Sequence, residues 1–498
     1  MLRLLLLLAT LPPLLVAQIP HTLATKPGRS IALSMPAGFD ARIAVRGIPR
    51  VRFLTLSPDG RLFVTSMYDL SDNTRGAVLI LDGWNAQMHT FSRTIPFLTH
   101  LRNPNNVAFY TDPATKKSWI YVPLTDRLMR YPYTAGSNAP SGPPQTLMRF
   151  PDYGLNYKYG GWHLTRTVAV AMLHGETRLY VAAGSSCNYC QEREPERAAI
   201  LSLRPDGTDA KIVAHGMRNA VDLRFVPDID GGALFATNMG DDHLGDKLPE
   251  DTFFELDSND HPGPIANLQC SAVRGKRTAL CNDAPHYGWP TCYFVQGRAV
   301  LDRTPLPPTP APGDKRIADH PHSQAPADSV YNLYSDAQAA TAETAAQGTN
   351  LAARIVDEHG LPDLGPVPQP LTSCAHVPVA YTTFAAHSSP LGLAYFGDNN
   401  ALLHGNFLVA LHGASHTHIG TGYRIVRFTP EDHTPRDWMT GFLTHTAGGI
   451  AQVHGRPCGL LRIGPDSFLI TDDLNGLIYA VYPKDSAYPK TSAKHSLQ

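Results

Sequence analysis

The 498-residue chain carries little charge, and after its first 17 residues it has no long apolar run. Charged residues make up 17% of the sequence, and the formal net charge is -1. Proteins that bind nucleic acid or an anionic membrane surface normally carry a basic patch, so this composition favours neither partner. No later stretch is long enough to span a bilayer as a helix. We therefore expect neither nucleic-acid binding nor membrane insertion.

Residues 1–17 form the one strongly apolar stretch. Arg3 precedes a Leu-rich segment that is too short to cross a membrane, and Ala17 stands before Gln18 as a small residue at a cleavage point. This arrangement is typical of a secretory signal peptide. We expect the mature chain, from residue 18, to be exported to the periplasm or secreted.

Seven cysteines are few for this length, but export favours their pairing as disulfides. No His follows Cys190 in the C-x-x-C motif, which excludes covalent haem attachment, and no second C-x-x-C completes a zinc site. The bonds predicted are Cys187–Cys190, Cys270–Cys281 and Cys292–Cys374, with Cys458 as a buried free thiol.

Amphipathic helical stretches are scarce, whereas 40 Gly and 43 Pro accompany many short apolar segments. A recurrent pattern places a short strand on each side of a Pro-Asp turn, at Pro58-Asp59, Pro227-Asp228 and Pro465-Asp466. Such hairpins predict an all-β fold, and their recurrence along the chain predicts a β-propeller of four-stranded antiparallel blades. Six blades fit the length if long loops are allowed for.

The propeller is predicted to be one domain spanning residues 18–483. Its last strand, near residues 477–482, is expected to close the ring by pairing with an N-terminal strand at about residues 31–45. Residues 301–370 are rich in Pro and Ala and are interpreted as an irregular insertion between strands. Residues 484–498 are polar and are expected to form a disordered tail.

His163 is the candidate general base. It follows Gly160-Gly161-Trp162 in a loop that precedes an apolar strand, and an imidazole titrates near neutral pH. The chain has 22 His, so a structural or surface role is the alternative for any one of them.

Several segments together resemble the soluble sugar dehydrogenases that depend on pyrroloquinoline quinone (PQQ), in particular the sorbosone-dehydrogenase-like branch. The resemblance covers most of the chain between about residues 42 and 482, outside the insertion. The motifs that carry it are Gly161-Trp162-His163-Leu164-Thr165-Arg166, Gly216-Met217-Arg218-Asn219, Asn238-Met239-Gly240-Asp241-Asp242, Tyr287-Gly288-Trp289-Pro290, His387-Ser388-Ser389-Pro390, His412-Gly413 and Gly455-Arg456-Pro457.

The resemblance implies a six-bladed propeller with PQQ across one face. It implies that His163 removes a sugar hydroxyl proton and that Ca²⁺ polarises the quinone. The metal ligands it implies lie at Gly240, Asp241 and Asp246, where hard oxygen donors suit Ca²⁺.

The cofactor contacts implied by the resemblance are Arg218, Asn219, Arg456, His387, His412 and Arg102. PQQ carries carboxylates, and the planar guanidinium of Arg binds a carboxylate through two parallel hydrogen bonds. The sequence departs from the family in three places. Trp162 comes before the His rather than after it, no lysine stands near His412, and Cys458 replaces an arginine.

The predicted function is oxidation of an aldose or related sugar by hydride transfer to PQQ, with electrons passed to an external acceptor. A propeller that binds glycans or protein partners without catalysis is the alternative, which the missing cations favour. A calcium-dependent lactonase is a third hypothesis, because six-bladed propellers also host metal-assisted hydrolysis.

Overall fold

We describe the protein from a computed structural model covering residues 18–151, 163–192, 194–256, 270–271, 284–307, 367–415 and 417–484. Its first strands form a hairpin of β1 (Gln18–Lys26) and β2 (Arg29–Pro36), and β3 (Phe39–Arg46) follows. Blade 1 contains β4 (Val51–Leu56), β5 (Leu62–Ser66), β6 (Gly76–Asn85) and β7 (Thr90–Leu101). Blade 2 contains β8 (Ala108–Thr111), β9 (Ser118–Pro123), β10 (Arg127–Tyr133) and β11 (Gln145–Arg149).

The next two blades come from the middle of the chain. Blade 3 contains β12 (Arg166–Leu173), β13 (Glu176–Ala183), β14 (Ala199–Leu203) and β15 (Lys211–His215). Blade 4 contains β16 (Ala220–Val226), β17 (Ala233–Asn238), β18 (Asp251–Leu256) and, after a long excursion, β23 (Thr382–Phe384). The excursion includes β19 (Cys270–Ser271), β20 (Cys292–Val295), β21 (Arg298–Leu301) and β22 (Val367–Pro368).

The last two blades complete the ring. Blade 5 contains β24 (Pro390–Phe396), β25 (Asn406–Leu411), β26 (Arg424–Phe428) and β27 (Arg436–Met439). A short hairpin of β28 (Leu443–His445) and β29 (Ala451–Val453) follows. Blade 6 contains β30 (Pro457–Arg462), β31 (Phe468–Asp472) and β32 (Leu477–Pro483), with β3 as its fourth strand.

The protein is a six-bladed β-propeller of four-stranded antiparallel blades, as the sequence predicts. Inner strands of neighbouring blades lie side by side around the axis. Their backbones approach closely: a Cβ at Gly459 would stand 2.6 Å from the carbonyl oxygen of Arg52, and one at Gly392 2.5 Å from that of Cys458. Glycine is therefore required at both positions.

Ring closure is confirmed in part. β32 pairs with β3, from Phe39 opposite Pro483 to Arg46 opposite Leu477. We expected residues 31–36 to belong to this strand. They instead fold back as β2 and pair with β1. Its buried side chains Leu33 and Met35 pack in a cluster with Trp438 instead. An apolar alternation alone does not decide which partner a strand takes.

The turn chemistry behaves as predicted. Between β4 and β5, the Gly60 amide donates to the carbonyl oxygen of Ser57 over 2.9 Å, and Gly60 has a φ of 79° that a glycine adopts without strain. The Asp59 carboxylate accepts hydrogen bonds from Tyr133 and from the Gly136 amide, both at 2.7 Å. The turn thus also ties blade 1 to blade 2.

Two predicted disulfides are present, Cys187–Cys190 and Cys292–Cys374, and they indicate an oxidising compartment. Cys458 is a buried free thiol as predicted, and burial raises its pKa to about 12. The predicted partner of Cys270, Cys281, lies outside the described residues, as do residues 1–17, most of the insertion and nearly all of the tail. The described residues contain no helix long and apolar enough to cross a bilayer.

Candidate active site

Most candidate residues lie at one end of the propeller, which we call the upper face. Every inner strand begins there and runs to the opposite end. Because neighbouring strands are antiparallel, the loop between the second and third strands of each blade returns to the upper face. The residues just before β12, β16 and β30 therefore share this face with the loops after β13, β17 and β25. These segments hold His163, Arg218, Arg456, Ser185, Gly240 and His412.

His163 is half-buried and has a φ of 44°, in the left-handed region. Its Nδ1 lies 3.0 Å from both the carbonyl oxygen and the hydroxyl oxygen of Ser185. A carbonyl oxygen only accepts, so Nδ1 carries the proton and Nε2 carries the lone pair. Burial, followed by the positive charge of Arg218, holds the pKa of His163 well below its usual value. The imidazole is therefore neutral at neutral pH, the form that a general base needs.

Two neighbours fix the position of this ring. A Cβ at Gly184 would lie 2.6 Å from the Cβ of His163 and 2.6 Å from Oδ1 of Asn219, so only glycine fits between them. Arg166 is fully buried, and its Nη1 donates to the carbonyl oxygens of His163 at 2.6 Å and Thr165 at 2.9 Å. The close approach of Asn219 places a second predicted residue beside the base.

Arg218 joins the base to the predicted metal loop. Its Nη1 donates to the carbonyl oxygen of Gly240 over 2.6 Å, and its Nη2 lies 3.5 Å from a carboxylate oxygen of Asp242. Its Nε and Nη2 donate to the backbone and side-chain oxygens of Asn188 over 2.9 and 2.7 Å. The Ser185 amide, whose residue also contacts His163, donates to the carbonyl oxygen of Arg218 over 2.7 Å. The structure therefore brings together His163, Arg218 and Gly240, which are remote in the sequence.

A buried carboxyl group supports the metal loop from below. Asp251 accepts the Gly240 amide through Oδ1 and the Ser389 amide through Oδ2, each over 2.7 Å. Burial raises the pKa of Asp251 to about 7, against the lowering effect of these two hydrogen bonds. Asp251 thus fixes the backbone that carries Gly240, and nothing in the sequence motif marked this role.

The two acidic residues predicted as metal ligands have different surroundings. Asp241 is buried, and its Oδ1 lies 2.6 Å from Nδ1 of His243, whose Nε2 is 2.7 Å from Asp302. Asp246 is exposed and has a described ionic contact of 3.8 Å with His418. The carbonyl oxygen of the half-buried Gly240 and the carboxylate of the buried Asp241 are oxygen donors of the kind that Ca²⁺ takes. The residues present therefore fit a calcium ion at Gly240 and Asp241 better than at Asp246.

His387 holds this loop from blade 5. Its Nδ1 is 3.0 Å from Oδ1 of Asp242, and its Nε2 is 2.8 Å from the carbonyl oxygen of Gly245. Both ring nitrogens thus face the loop itself.

His412 and Arg456 form a second cluster on the upper face. Nε2 of His412 lies 2.8 Å from Oδ1 of the buried Asp473, and burial lowers the pKa of His412 to about 4. Arg456 donates through Nη2 to the carbonyl oxygen of Ala414 over 3.0 Å and lies over the ring of Tyr423, 5.4 Å from its centroid.

Arg52 completes this cluster, and sequence reasoning missed it. It is 5% exposed and donates to Asp473 over 3.2 Å and to Oδ1 of Asn105 over 3.0 Å. The Nδ2 of Asn105 donates in turn to Thr167 in β12, 2.8 Å away. An arginine in the otherwise apolar segment Val51-Arg52-Phe53-Leu54 is the signal that could have found it. Arg52 adds a cation to the face where the sequence lacks two.

Arg102, the remaining predicted cofactor contact, is buried against Asp72. Its Nε and Nη2 donate to the two carboxylate oxygens over 2.7 and 2.5 Å. This bidentate pair anchors a loop of blade 1 to the segment before β8.

A cleft of about 830 Å³ opens on the upper face between the β1–β2 turn and the loop after β31. Arg50, Tyr68 and Asp473 are among the residues that line it. Nη1 of Arg50 lies 3.6 Å from Asp473 and makes no hydrogen bond to a described residue. Tyr68 is 39% exposed, and the guanidinium of Arg75 lies over its ring at 4.8 Å.

Comparison with known proteins shows the fold. No protein-family profile and no curated protein sequence matches the chain. Among solved structures it is similar to the holo form of the pyranose dehydrogenase PQQ domain of Coprinopsis cinerea, with 15% identity, a TM-score of 0.56, and coverage of 91% of this chain and 97% of the other. It is also similar to a calcium structure of a Trichoderma reesei carbohydrate-active enzyme, with 15% identity, a TM-score of 0.54 and the same coverage. The predicted resemblance to PQQ-dependent sugar dehydrogenases therefore holds at the level of the fold.

Proposed function

We propose that the protein is an exported oxidoreductase that oxidises an aldose or related sugar with PQQ and Ca²⁺ as cofactors. The observation that carries the proposal is the convergence of His163, Arg218 and Gly240. His163 is a neutral imidazole with its lone pair on Nε2, Arg218 is a nearby cation, and Gly240 belongs to an oxygen-rich loop. Dehydrogenation of a sugar hydroxyl needs a base, a charge-stabilising group and a hydride acceptor. The chain itself offers the base and the charge-stabilising group.

In this mechanism Nε2 of His163 takes the proton of the sugar hydroxyl. Ser185 holds Nδ1 and so keeps the ring in the tautomer that can accept it. When bound, PQQ supplies the hydride acceptor and Ca²⁺ supplies a Lewis acid that polarises its carbonyl.

The binding roles follow from charge and position. Gly240 and Asp241 would hold Ca²⁺, while Arg218, Arg456 and Arg52 would bind carboxylates of PQQ, with Asn219 beside the base. His387 and His412 act through the loops that they hold, because their described contacts are with Asp242, Gly245 and Asp473. An external acceptor takes the electrons, and the periplasm or the cell exterior is the place of action.

The test is the absorbance spectrum of the purified protein reconstituted with PQQ and Ca²⁺, before and after addition of a panel of aldoses. We expect saturable PQQ binding and bleaching of the oxidised cofactor. His163→Asn should keep PQQ binding and lose the bleaching, since Asn tolerates a positive φ. His174→Asn is the matched control, because His174 is exposed, has a φ of 50° and lies at the opposite end. Failure to bind PQQ with calcium present would refute the proposal.

Glycan binding without catalysis is the second candidate, and the cleft beside Arg50 favours it. The cleft pairs an exposed aromatic ring, Tyr68, with a cation, Arg50, whose Nη1 makes no hydrogen bond to a described residue, and such a combination of apolar and polar groups suits a ligand site. This candidate predicts that acidic oligosaccharides bind the protein in the absence of PQQ and that Tyr68→Ala weakens the binding.

A further inference from the structure

Asn188 lies between the two cysteines of the Cys187–Cys190 disulfide, and its oxygens accept four hydrogen bonds. Its carbonyl oxygen accepts from Nε of Arg218 at 2.9 Å and from Nε1 of Trp289 at 3.3 Å. Its Oδ1 accepts from Nη2 of Arg218 at 2.7 Å and from the Asp242 amide at 3.0 Å. One side chain thus binds both the predicted cofactor cation and the predicted metal loop.

The neighbours of Asn188 contact other parts of the same site. Ser185 holds Nδ1 of His163, and its hydroxyl donates to the carbonyl oxygen of Cys187 over 2.6 Å. The Tyr189 ring stacks on that of His243, with 3.8 Å between centroids and a 20° angle between planes. We call residues 184–190 the frame loop. This loop therefore contacts the base, the cation and the metal loop.

The disulfide gives this loop its rigidity. It joins residues only three apart, so it removes much less unfolded-chain entropy than Cys292–Cys374, which joins residues 82 apart. Its main effect is therefore local. Both of its cysteines are buried and pack against Trp289, which also donates to Asn188.

We propose that Asn188 is a positioning residue and that the disulfide-closed frame loop sets the arrangement of Arg218 and the metal loop. The consequence of this inference, that PQQ and Ca²⁺ bind a preformed site, rests on the proposed function. Three of the four hydrogen bonds to Asn188 come from those two elements. Two of them depend on the side chain. Without Oδ1, Arg218 loses the bond from Nη2 but keeps those to the carbonyl oxygens of Gly240 and Asn188, and the Asp242 amide loses its acceptor.

The first experiment changes the acceptor alone. Asn188→Leu keeps the size of the side chain and removes Oδ1, whereas Asn188→Asp keeps an oxygen that accepts both donors. Asn85→Leu is the control, because Asn85 is exposed and caps a turn at the opposite end with its Oδ1. Hydrogen exchange of residues 238–246 is measured in the apoprotein, and PQQ binding with Ca²⁺ is titrated separately.

We expect Asn188→Leu to speed exchange in residues 238–246 about tenfold and to weaken PQQ binding by about 10–100-fold, the usual effect of losing a group that orients a ligand. Asn188→Asp should restore slow exchange, and Asn85→Leu should change neither quantity. Unchanged exchange in Asn188→Leu overturns the positioning role, whether or not the protein binds PQQ. If wild type does not bind PQQ, the proposed function fails, while the exchange data still decide how the loop is held.

The second experiment tests the disulfide. The double variant Cys187→Ser, Cys190→Ser should speed exchange in residues 238–246 and lower the melting temperature only slightly. Cys292→Ser with Cys374→Ser should lower the melting temperature more and leave this exchange unchanged. Equal exchange in wild type and the first double variant contradicts the role of the disulfide.

Discussion

Nη1 of Arg218 donates a 2.6 Å hydrogen bond to the carbonyl oxygen of Gly240. A predicted cofactor cation and a predicted metal ligand are therefore in direct contact. A carbonyl oxygen has two lone pairs, so the bond to Arg218 leaves one for a metal ion. The contact couples cation and metal loop, and binding at either should depend on both.

Replacing Arg218 by Lys should weaken PQQ binding by about tenfold or more, because Lys cannot reach Asn188 and Gly240 with a planar set of donors. Absorbance titration with PQQ and Ca²⁺ measures the effect. Arg436→Lys is the control, since Arg436 is 53% exposed and pairs with Asp432. Equal affinity in wild type and Arg218→Lys would show that the guanidinium is not a cofactor contact.

The pH dependence of turnover should report His163. Its pKa is lowered by burial and then by the charge of Arg218, and only the neutral form accepts a proton. Turnover should therefore fall on the acid side only below about pH 6.5, the value of an unperturbed imidazole. In Arg218→Gln one lowering charge is lost, so the pKa rises and the acid limb moves to higher pH. NMR titration of the histidines checks this without turnover, and an unmoved His163 resonance contradicts it.

Gly184→Ala should displace His163. The new Cβ would overlap the His163 Cβ and the Asn219 amide, and overpacking of this kind costs about 1–3 kcal/mol. Gly38→Ala is the control, because Gly38 has open space around its Cβ position and no positive φ. Denaturant unfolding gives the two free energies. Equal values would show that the ring can move without cost.

Arg52 and Asp473 should behave as a coupled buried pair. Arg52→Leu leaves the Asp473 carboxylate with fewer partners, and breaking a buried pair costs about 3–5 kcal/mol. Asp473→Asn in the same background should recover part of the loss, which a double-mutant cycle of unfolding free energies measures. Additive effects would mean that the two residues act independently.

The disulfide Cys292–Cys374 should contribute far more to stability than Cys187–Cys190. For a separation of 82 residues the loop-entropy estimate is about 4–5 kcal/mol, against about 2 kcal/mol for a separation of three. Unfolding of the two double Ser variants tests the order, and the reverse order would contradict it.

Local patterns predicted the strands well because turn chemistry and apolar runs act over a few residues. Val51–Leu56, Leu62–Ser66 and the turn between them match the Pro58-Asp59 signal. The strand partner predicted for residues 31–36 was wrong. Both candidate sheets offer an apolar face to this segment, and its pairing with β1 depends on distant side chains.

The candidate site was predicted by residue type and motif but not by geometry. His163, Arg218 and Gly240 were named from the sequence, and their roles stay predictions. Arg52, Asp251 and Asn188 were not named, because each acts through hydrogen bonds to residues between 11 and 421 positions away.

The sequence by itself determined the blade architecture, the cysteines that pair locally and the residue types available for chemistry, since these depend on short-range patterns. Only the tertiary structure decided which of those residues meet. Because neighbouring strands alternate in direction, all six inner strands begin at one face. There Arg218 contacts Gly240, and Asn188 accepts hydrogen bonds from Arg218 and from the Asp242 amide.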